Sequence, residues 1–198
     1  MLDLACGSGP LLGLLTEAVV HVGVDVSADE LALARRRELA VVRADARRLP
    51  LRDSSVDVVV MSMALMLVPL EDTLREVRRV LVPGGLLVAT IPDQGPLSFR
   101  HALRWGRLLL ALRQRSLTYP NIVTAEALQR HRLLVEADER RSFTFPVREP
   151  ADAELLLDSL YLPRVSPARL AAGRSVVRRW VGGDIDVPLR RVVARRHD

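Results

Sequence analysis

The feature that most constrains the fold lies at the beginning of the chain, where a short apolar segment runs directly into a glycine-rich turn. Residues 2–9 have the sequence Leu-Asp-Leu-Ala-Cys-Gly-Ser-Gly. Such a turn lets the backbone bend sharply and lets a ligand approach without a Cβ in the way. A helix predicted over residues 11–17 would direct free N–H groups at that ligand. We therefore expect a nucleotide-cofactor loop at the end of a first strand.

Strand and helix signals alternate through the first half of the chain, which is the pattern of a parallel sheet covered by helices on both faces. Strands are predicted over residues 2–5, 20–26, 41–44, 56–61 and 86–91. Further helices are predicted over residues 27–37 and 71–81. The consecutive valines of the fourth strand predict that it is fully buried. Ser27 and Glu30 form a capping box, and Pro83-Gly84-Gly85 is expected to separate the last of these helices from the fifth strand.

The second half of the chain gives weaker signals. Helices are predicted over residues 98–117, 125–131, 152–160 and 167–181, and a final strand over residues 187–194. Residues 133–137 and 142–147 are extended, as a sixth strand or as a hairpin. We expect a single domain over residues 1–198, in which residues 1–95 form the cofactor-binding half. Residues 96–132 and 150–182 are expected to supply lid or cap helices.

Three acidic residues stand where the predicted strands end. Asp3 precedes the glycine loop, Asp25 ends the second strand, and Asp45 follows the third. Because the carboxyl ends of parallel strands meet at one edge of a sheet, these acids are expected to rim one crevice. A carboxylate after the second strand is suited to accept both ribose hydroxyls, and one after the third can accept from an adenine amino group.

The acids also discriminate between cofactors. Gly7, Gly9 and Gly13 form a GxGxxxG pattern, which is weak and also occurs in nicotinamide-dependent enzymes. Acids beside a phosphate would repel it, whereas a sulfonium ligand is positively charged and carries no phosphate. Coulomb's law therefore favours a sulfonium cofactor, and a nicotinamide-dependent oxidoreductase is the weaker alternative.

Four segments, in this order, resemble the class I S-adenosylmethionine-dependent methyltransferases of the small-molecule, ubiquinone/menaquinone-methyltransferase-like (type 11) group. They are residues 2–9, 22–27, 45–60 and 74–85. The resemblance implies an α/β fold with a doubly wound, mostly parallel seven-stranded sheet, Rossmann-like, with a helical cap and a last strand that pairs antiparallel at the sheet edge. It implies an enzyme that moves a methyl group from S-adenosylmethionine to an oxygen, nitrogen or carbon atom of a small-molecule acceptor.

The same resemblance assigns roles to matching positions. By this resemblance, the methionine part of the cofactor would be cradled by Asp3, Ala5, Gly7 and Gly9. Ribose and adenine would be held by Asp25 and Val26, and the adenine edge would be contacted by Asp45 and Ala46. The sulfonium would be faced by Met61 and Ser62. Ala5 replaces the family's usual first glycine, and residues 64–69 lack a histidine that relatives often carry. Family members have a helix and most of the first strand before this loop, so we expect a further N-terminal element upstream of Met1.

A general base is needed only if the acceptor must lose a proton. Candidates in the second half are His101, Tyr119, Asp93, His131 and Tyr161. Each has an ordinary structural explanation, such as a surface position, a helix end or cap packing, so the catalytic residues remain unassigned. Asp93 is the most suggestive by position, because it follows the fifth strand at the expected mouth of the crevice.

Composition narrows the classes of substrate. All 29 basic residues are arginines scattered along the chain, with a net charge of +5, so no nucleic-acid partner is expected. Residues 61–64 lack the Asn/Asp-Pro-Pro-aromatic motif of enzymes that methylate exocyclic amino groups of bases. The single cysteine, Cys6, lies in the cofactor loop, which excludes carbon-5 pyrimidine methylation. Four dispersed histidines predict no metal site.

The helix predicted over residues 98–117 carries Arg100, Arg104 and Arg107 on one side and leucines on the others. It fits a packed cap helix, a lid over the site, or an interfacial helix resting on an anionic membrane.

No apolar run is long enough to span a bilayer, and the lone cysteine favours a reducing compartment. We expect a cytoplasmic monomer or homodimer with at most peripheral membrane contact. A catalytically inactive methyltransferase-like binding domain and an RNA methyltransferase remain as alternatives.

Overall fold

The computed structural model describes residues 1–11, 20–93, 98–117 and 119–198. Its strands are β1 (Leu2–Leu4), β2 (Val22–Asp25), β3 (Val41–Arg43), β4 (Val56–Ser62), β5 (Leu81–Pro92), β6 (Leu133–Val147) and β7 (Gly183–Arg196). They form one seven-stranded sheet in the order β3-β2-β1-β4-β5-β7-β6. β1 pairs in parallel with β2 and β4, β2 with β3, and β4 with β5. The predicted doubly wound, mostly parallel sheet is thereby confirmed.

The helices are α1 (Ala28–Arg35), α2 (Leu70–Val80), α3 (Phe99–Leu112), α4 (Ala125–Arg130), α5 (Pro150–Asp158) and α6 (Pro167–Val177), followed by a 3-10 turn (Arg178–Trp180). Two predicted helix starts are confirmed. The Ser27 hydroxyl accepts from the Glu30 N–H at 3.3 Å, and the Thr124 hydroxyl accepts from the Ala127 N–H at 3.1 Å. The helix predicted over residues 11–17 lies, beyond residue 11, outside the described residues.

β4 is not fully buried, so that prediction was wrong. Val59 and Met61 are buried, whereas Asp57 is exposed and Val58 and Val60 are half-buried. Successive side chains of a strand point to opposite faces, so Val58 and Val60 lie on the face opposite to Val59 and Met61, and that face is only partly covered.

The expectation that Pro83-Gly84-Gly85 separates α2 from the fifth strand was also wrong. β5 begins at Leu81, directly after α2, and contains the triplet. The register between β4 and β5 moves from Val56 opposite Leu81 to Val58 opposite Leu86, so the triplet forms an irregularity within the strand. Glycine is required at position 85, because a Cβ would lie 2.9 Å from the Val82 oxygen and 3.0 Å from the Asp57 oxygen.

The C-terminal strands decide one alternative and correct one expectation. Residues 133–147 form one long strand, which confirms the sixth strand over the hairpin. β7 lies between β5 and β6, so the expectation that the last strand is at the sheet edge was wrong. The Gly182 N–H donates to the Val147 oxygen and the His197 N–H donates to the Arg132 oxygen, both at 2.9 Å. These bonds join opposite ends of the two strands, so β6 and β7 are antiparallel. The edge strand, β6, is rich in charged residues, which discourage pairing with another chain.

The chain divides into two compact units. The first contains residues 1–91, 120–140 and 190–198, and the second contains residues 92–119 and 141–189. The core of the second unit joins α3, α5 and α6 through Leu108, Leu112, Val147, Ala153, Leu156, Leu157, Val177, Trp180 and Ile185. Among the described residues, no helix has the length and apolar character needed to cross a membrane.

Candidate cofactor site

A cleft of about 330 Å³ lies in the first unit, where β1, β2 and β3 end. Small-molecule sites typically have volumes of roughly 300–1,000 Å³. The lining residues are Leu4, Ala5, Val24, Asp25, Val26, Ala44, Asp45, Ala46, Arg47, Leu67, Val68 and Pro69. Five of the ten predicted cofactor residues are therefore brought together here: Ala5, Asp25, Val26, Asp45 and Ala46.

The turn after β1 brings its backbone close to the cleft. Ala5, Gly7 and Gly9 have φ angles of +59°, +54° and +75°. This left-handed conformation suits glycine and is uncommon for alanine. The Cys6 N–H donates to the Val24 oxygen at 3.1 Å, and the Gly9 N–H donates to the Cys6 oxygen at 2.9 Å. These bonds hold the turn against β2, although Gly7 and Gly9 themselves are not among the lining residues.

Asp25 connects the two backbone segments that meet at the cleft. Its Oδ2 accepts from the Gly7 N–H at 2.9 Å, and its Oδ1 accepts from the Ser27 N–H at 2.8 Å. One carboxylate thus holds both the glycine turn and the start of α1. Each carboxylate oxygen has a further acceptor position, so Asp25 can also accept from ligand hydroxyls.

Asp3 lies beneath the turn and does not line the cleft. It is 2% exposed, and its Oδ2 has no hydrogen-bond partner within the described part of the chain. Burial, and secondarily the negative charge of Asp25, raises the pKa of Asp3 to about 6, while His21 opposes the shift. A buried carboxylate oxygen without a partner is costly, so Asp3 would gain from a positively charged neighbour.

Asp45 is bound by Arg47, a lining residue that the sequence analysis missed. The Arg47 Nη2 donates to Asp45 Oδ2 at 2.6 Å, and the Arg47 backbone N–H donates to Oδ1 at 2.9 Å. These hydrogen bonds lower the pKa of Asp45 to about 2. The signal that could have revealed the contact is the spacing, because an aspartate commonly bonds the backbone two residues on. Arg47 neutralises one of the two acids that line the cleft.

The loop between β4 and α2 supplies three more lining residues that were missed: Leu67, Val68 and Pro69. The Asn121 side chain holds this loop, because its Nδ2 donates to the Val68 oxygen at 2.6 Å. The available signal was topological, since the loop leaves the carboxyl end of a central parallel strand, where ligands bind in such sheets.

Met61 and Ser62 do not line the cleft. Met61 is fully buried, and the Ser62 hydroxyl lies 3.1 Å from the Thr90 hydroxyl.

Burial, reinforced by the charges of Asp3 and Asp25, raises the pKa of Cys6 to about 12. The Cys6 thiol is therefore protonated at neutral pH and is a poor nucleophile.

The candidate bases are dispersed. In the second unit, His101 is buried, with Nδ1 in ion-pair contact with Asp186 and Nε2 3.8 Å from an Asp184 oxygen. In the first unit, the His131 Nε2 lies 2.7 Å from a Glu71 oxygen.

The remaining candidates belong to the second unit. Tyr119 and Tyr161 stack with ring centroids 6.3 Å apart, and the Asp93 N–H donates to the Pro188 oxygen at 2.9 Å. Across the described ranges, no group of three or more His, Cys, Asp or Glu could hold a metal ion.

The first half of the chain is similar to sequences of known proteins. Residues 2–89 match the sequence model of the family described as methyltransferase domain. Malonyl-[acyl-carrier protein] O-methyltransferase of Marinomonas sp. is 40% identical over an alignment of 105 positions that covers 48% of this chain and 38% of the relative. Demethylmenaquinone methyltransferase of Staphylococcus saprophyticus is 36% identical over an alignment of 103 positions that covers 47% of this chain and 44% of the relative. The chain thus spans less than half the length of these two relatives.

The fold is also found among solved structures. A candidate methyltransferase from Bacillus halodurans superposes with a TM-score of 0.63 over 100% of this chain and 92% of that chain, at 18% identity. At this identity the likeness shows the fold alone. The family match covers the parallel strands that form the cleft, from β1 into β5. Residues 2–89, somewhat less than half of the chain, thus resemble a methyltransferase domain.

Proposed function

We propose that this chain binds S-adenosylmethionine in the cleft of the first unit and catalyses transfer of its methyl group to a small-molecule acceptor. The observation that carries this proposal is the set of groups lining the cleft. Asp25 and Asp45 supply carboxylates, and Arg47, the one basic residue among the described lining residues, is already paired with Asp45. Such a lining favours a ligand that carries positive charge and no phosphate over a dinucleotide.

The remaining features fit the parts of this cofactor. Val26, Ala46 and Pro69 provide apolar surface for a flat adenine ring, and Asp25 has free acceptor positions for ribose hydroxyls. Asp3, which is buried and has no partner for Oδ2 among the described residues, would gain from the cationic amino-acid end of the ligand. Gly7 and Gly9 keep the turn open for that end. We propose the same ten residues as the cofactor site, with Met61 and Ser62 supporting it from the second layer.

When bound, S-adenosylmethionine supplies a methyl group on a positively charged sulfur. The chain's own contribution is to hold the reacting groups in line and to exclude water, which accounts for much of the acceleration in such displacements. The two relatives are named for a malonyl group on a carrier protein and for a demethylmenaquinone. These are different acceptors, so we propose small carboxylic acids and quinones as the first classes to screen.

The test is a calorimetric titration of the protein with S-adenosylhomocysteine, the product form of the cofactor. We expect micromolar binding to the unmodified chain. We expect two cleft variants to weaken binding by about tenfold or more. Asp25→Asn removes a carboxylate acceptor, and Ala46→Phe fills the cleft. Asp29→Asn is the matched control, since Asp29 is an exposed acid in the first turn of α1 and does not line the cleft.

Circular dichroism checks that each variant is folded. Absence of binding by the folded unmodified protein would refute the proposal, and so would equal binding by all four proteins. Tighter binding of reduced nicotinamide dinucleotide would favour the oxidoreductase alternative. Acceptor screening then follows the release of S-adenosylhomocysteine from S-adenosylmethionine, which both cleft variants should reduce.

A further inference from the structure

Helix α3 has two apolar faces, and the described part of the chain covers only one of them. His101, Leu108 and Leu112 form the covered face and are buried in the second unit. The opposite face is a row that we call the α3 stripe. It consists of Phe99, Leu103, Gly106 and Leu110. These positions are spaced by four, three and four residues, which places them along one side of a helix.

The α3 stripe is exposed along its whole length. Phe99 is 86% exposed, Leu103 is 47% exposed and Leu110 is 77% exposed. Single exposed apolar side chains are normal, whereas a continuous apolar row indicates a contact surface. The packed side of the helix cannot turn outward, because Leu108 and Leu112 belong to the core of the second unit.

The charges carried by this segment all have one sign. Residues 98–117 contain no Asp or Glu and five arginines, namely Arg100, Arg104, Arg107, Arg113 and Arg115. Arg107 is exposed on the helix beside the stripe, and Arg113 and Arg115 are exposed beyond its end. Arg100 pairs with the Asp184 carboxylate, Arg104 donates to the Asp184 backbone oxygen, and His101 contacts the Asp186 carboxylate. Guanidinium groups beside an apolar row complement phosphate headgroups above an acyl layer.

We propose that the α3 stripe rests on an anionic lipid bilayer, with Phe99, Leu103 and Leu110 in the boundary between headgroups and acyl chains. Arg107, Arg113 and Arg115 would lie at the lipid phosphates. A helix of 14 residues is about 21 Å long and is held on its other side by protein, so it lies along the surface and does not span it. This inference goes beyond methyl transfer and does not depend on it.

The test is co-sedimentation of the full chain with vesicles of phosphatidylcholine alone and of an equimolar mixture with phosphatidylglycerol. We expect binding to the anionic vesicles that weakens as salt is raised. The double variant Phe99→Ser/Leu110→Ser should bind anionic vesicles at least about tenfold more weakly than the unmodified protein. The matched control is Ile122→Ser/Leu155→Ser, because those residues are 83% and 61% exposed but lie outside the stripe. Arg107→Glu should reduce the preference for anionic vesicles.

A local probe gives an independent readout. Leu110→Cys and Leu155→Cys are each labelled with an environment-sensitive fluorophore, while Cys6 is buried and protonated and so reacts poorly. A blue shift on adding anionic vesicles at position 110, and not at position 155, supports the proposal.

Three results would overturn it. The first is absence of vesicle binding at low salt, and the second is equal binding by the stripe variant and the unmodified protein. The third is self-association, seen by light scattering, that only the stripe variant abolishes, since the stripe would then contact a second copy of this chain.

Discussion

At the scale of single residues, two aspartates near the cleft have their pKa shifted in opposite directions. Asp45 is half-buried and bonded to Arg47, which lowers its pKa to about 2. Asp3 is buried, and its Oδ2 has no hydrogen-bond partner among the described residues, so its pKa rises to about 6. The surroundings of each carboxylate, and not the residue type, decide its charge near pH 5. Keeping Asp3 buried costs stability, which is typical of a group retained for binding.

Asp3→Asn is expected to stabilise the protein at pH 7. The pKa of this group is near its ordinary value of 3.8 in the unfolded chain and about 6 in the native protein, so the wild-type protein loses stability as the pH rises between these values. The shift of about two pKa units corresponds to on the order of 3 kcal/mol. Urea denaturation at about pH 4, 5 and 7 should show a difference between variant and wild type that grows through this window and is constant above it. A difference that does not depend on pH would contradict the assignment.

At the scale of elements, two helical glycines have opposite surroundings. A Cβ at Gly173 in α6 would lie 2.8 Å from the Leu112 Cδ2 of α3, whereas one at Gly106 in α3 would meet nothing within 4 Å. Leu112 is fully buried, so it cannot move aside freely. Gly173 therefore allows α3 and α6 to approach closely, while Gly106 only weakens its own helix.

Alanine substitution at these two glycines should change stability with opposite signs. Gly106→Ala is expected to stabilise by about 0.5–1 kcal/mol, because alanine is the better helix former. Gly173→Ala is expected to destabilise by about 1–3 kcal/mol, because the added methyl group overpacks the contact with Leu112. Each variant is the control for the other in urea denaturation. Changes of the same sign would show that helix propensity alone decides both.

At the scale of the whole molecule, arginine–carboxylate pairs connect segments that are far apart in the sequence. Arg130 in α4 pairs with Glu71 in α2, and Arg190 in β7 binds both oxygens of Asp138 in β6. Hydrogen bonds from arginines, in the case of Glu76 from Arg79 in the same helix, lower the pKa of Glu71, Glu76, Glu136 and Asp138. Most of these carboxylates are exposed, so each pair contributes little by itself and the effect lies in their number.

Acidification below about pH 4 is expected to destabilise the protein, whereas protonation of buried Asp3 stabilises it at higher pH. Groups with a lowered native pKa stabilise the protein above their ordinary values of 3.8 and 4.5, and this contribution is lost as the pH falls through the native values. Thermal denaturation between about pH 4 and pH 2.5 should show a falling melting temperature. About 1 M sodium chloride should reduce the fall, because exposed pairs are screened. A fall that is the same at both salt concentrations would contradict the assignment of the acid sensitivity to these exposed pairs.

The sequence by itself determined the parallel half of the sheet and much of the cleft. The helix caps at Ser27 and Thr124 depend on hydrogen bonds within a few residues. The strand ends, where acids end β2 and follow β3, depend on a residue pattern that is equally local. Asp25, Val26, Asp45 and Ala46 meet at one edge because parallel strands carry their carboxyl ends there.

Only the tertiary structure decided the features that depend on distant partners. β7 lies between β5 and β6, and Asn121 holds the loop at Val68, more than fifty residues away. His101 is buried beside Asp186, and Met61 packs in the core instead of lining the cleft. A strand's neighbours and a side chain's burial depend on long-range packing, which overrides local preference, so no short stretch of sequence encodes them.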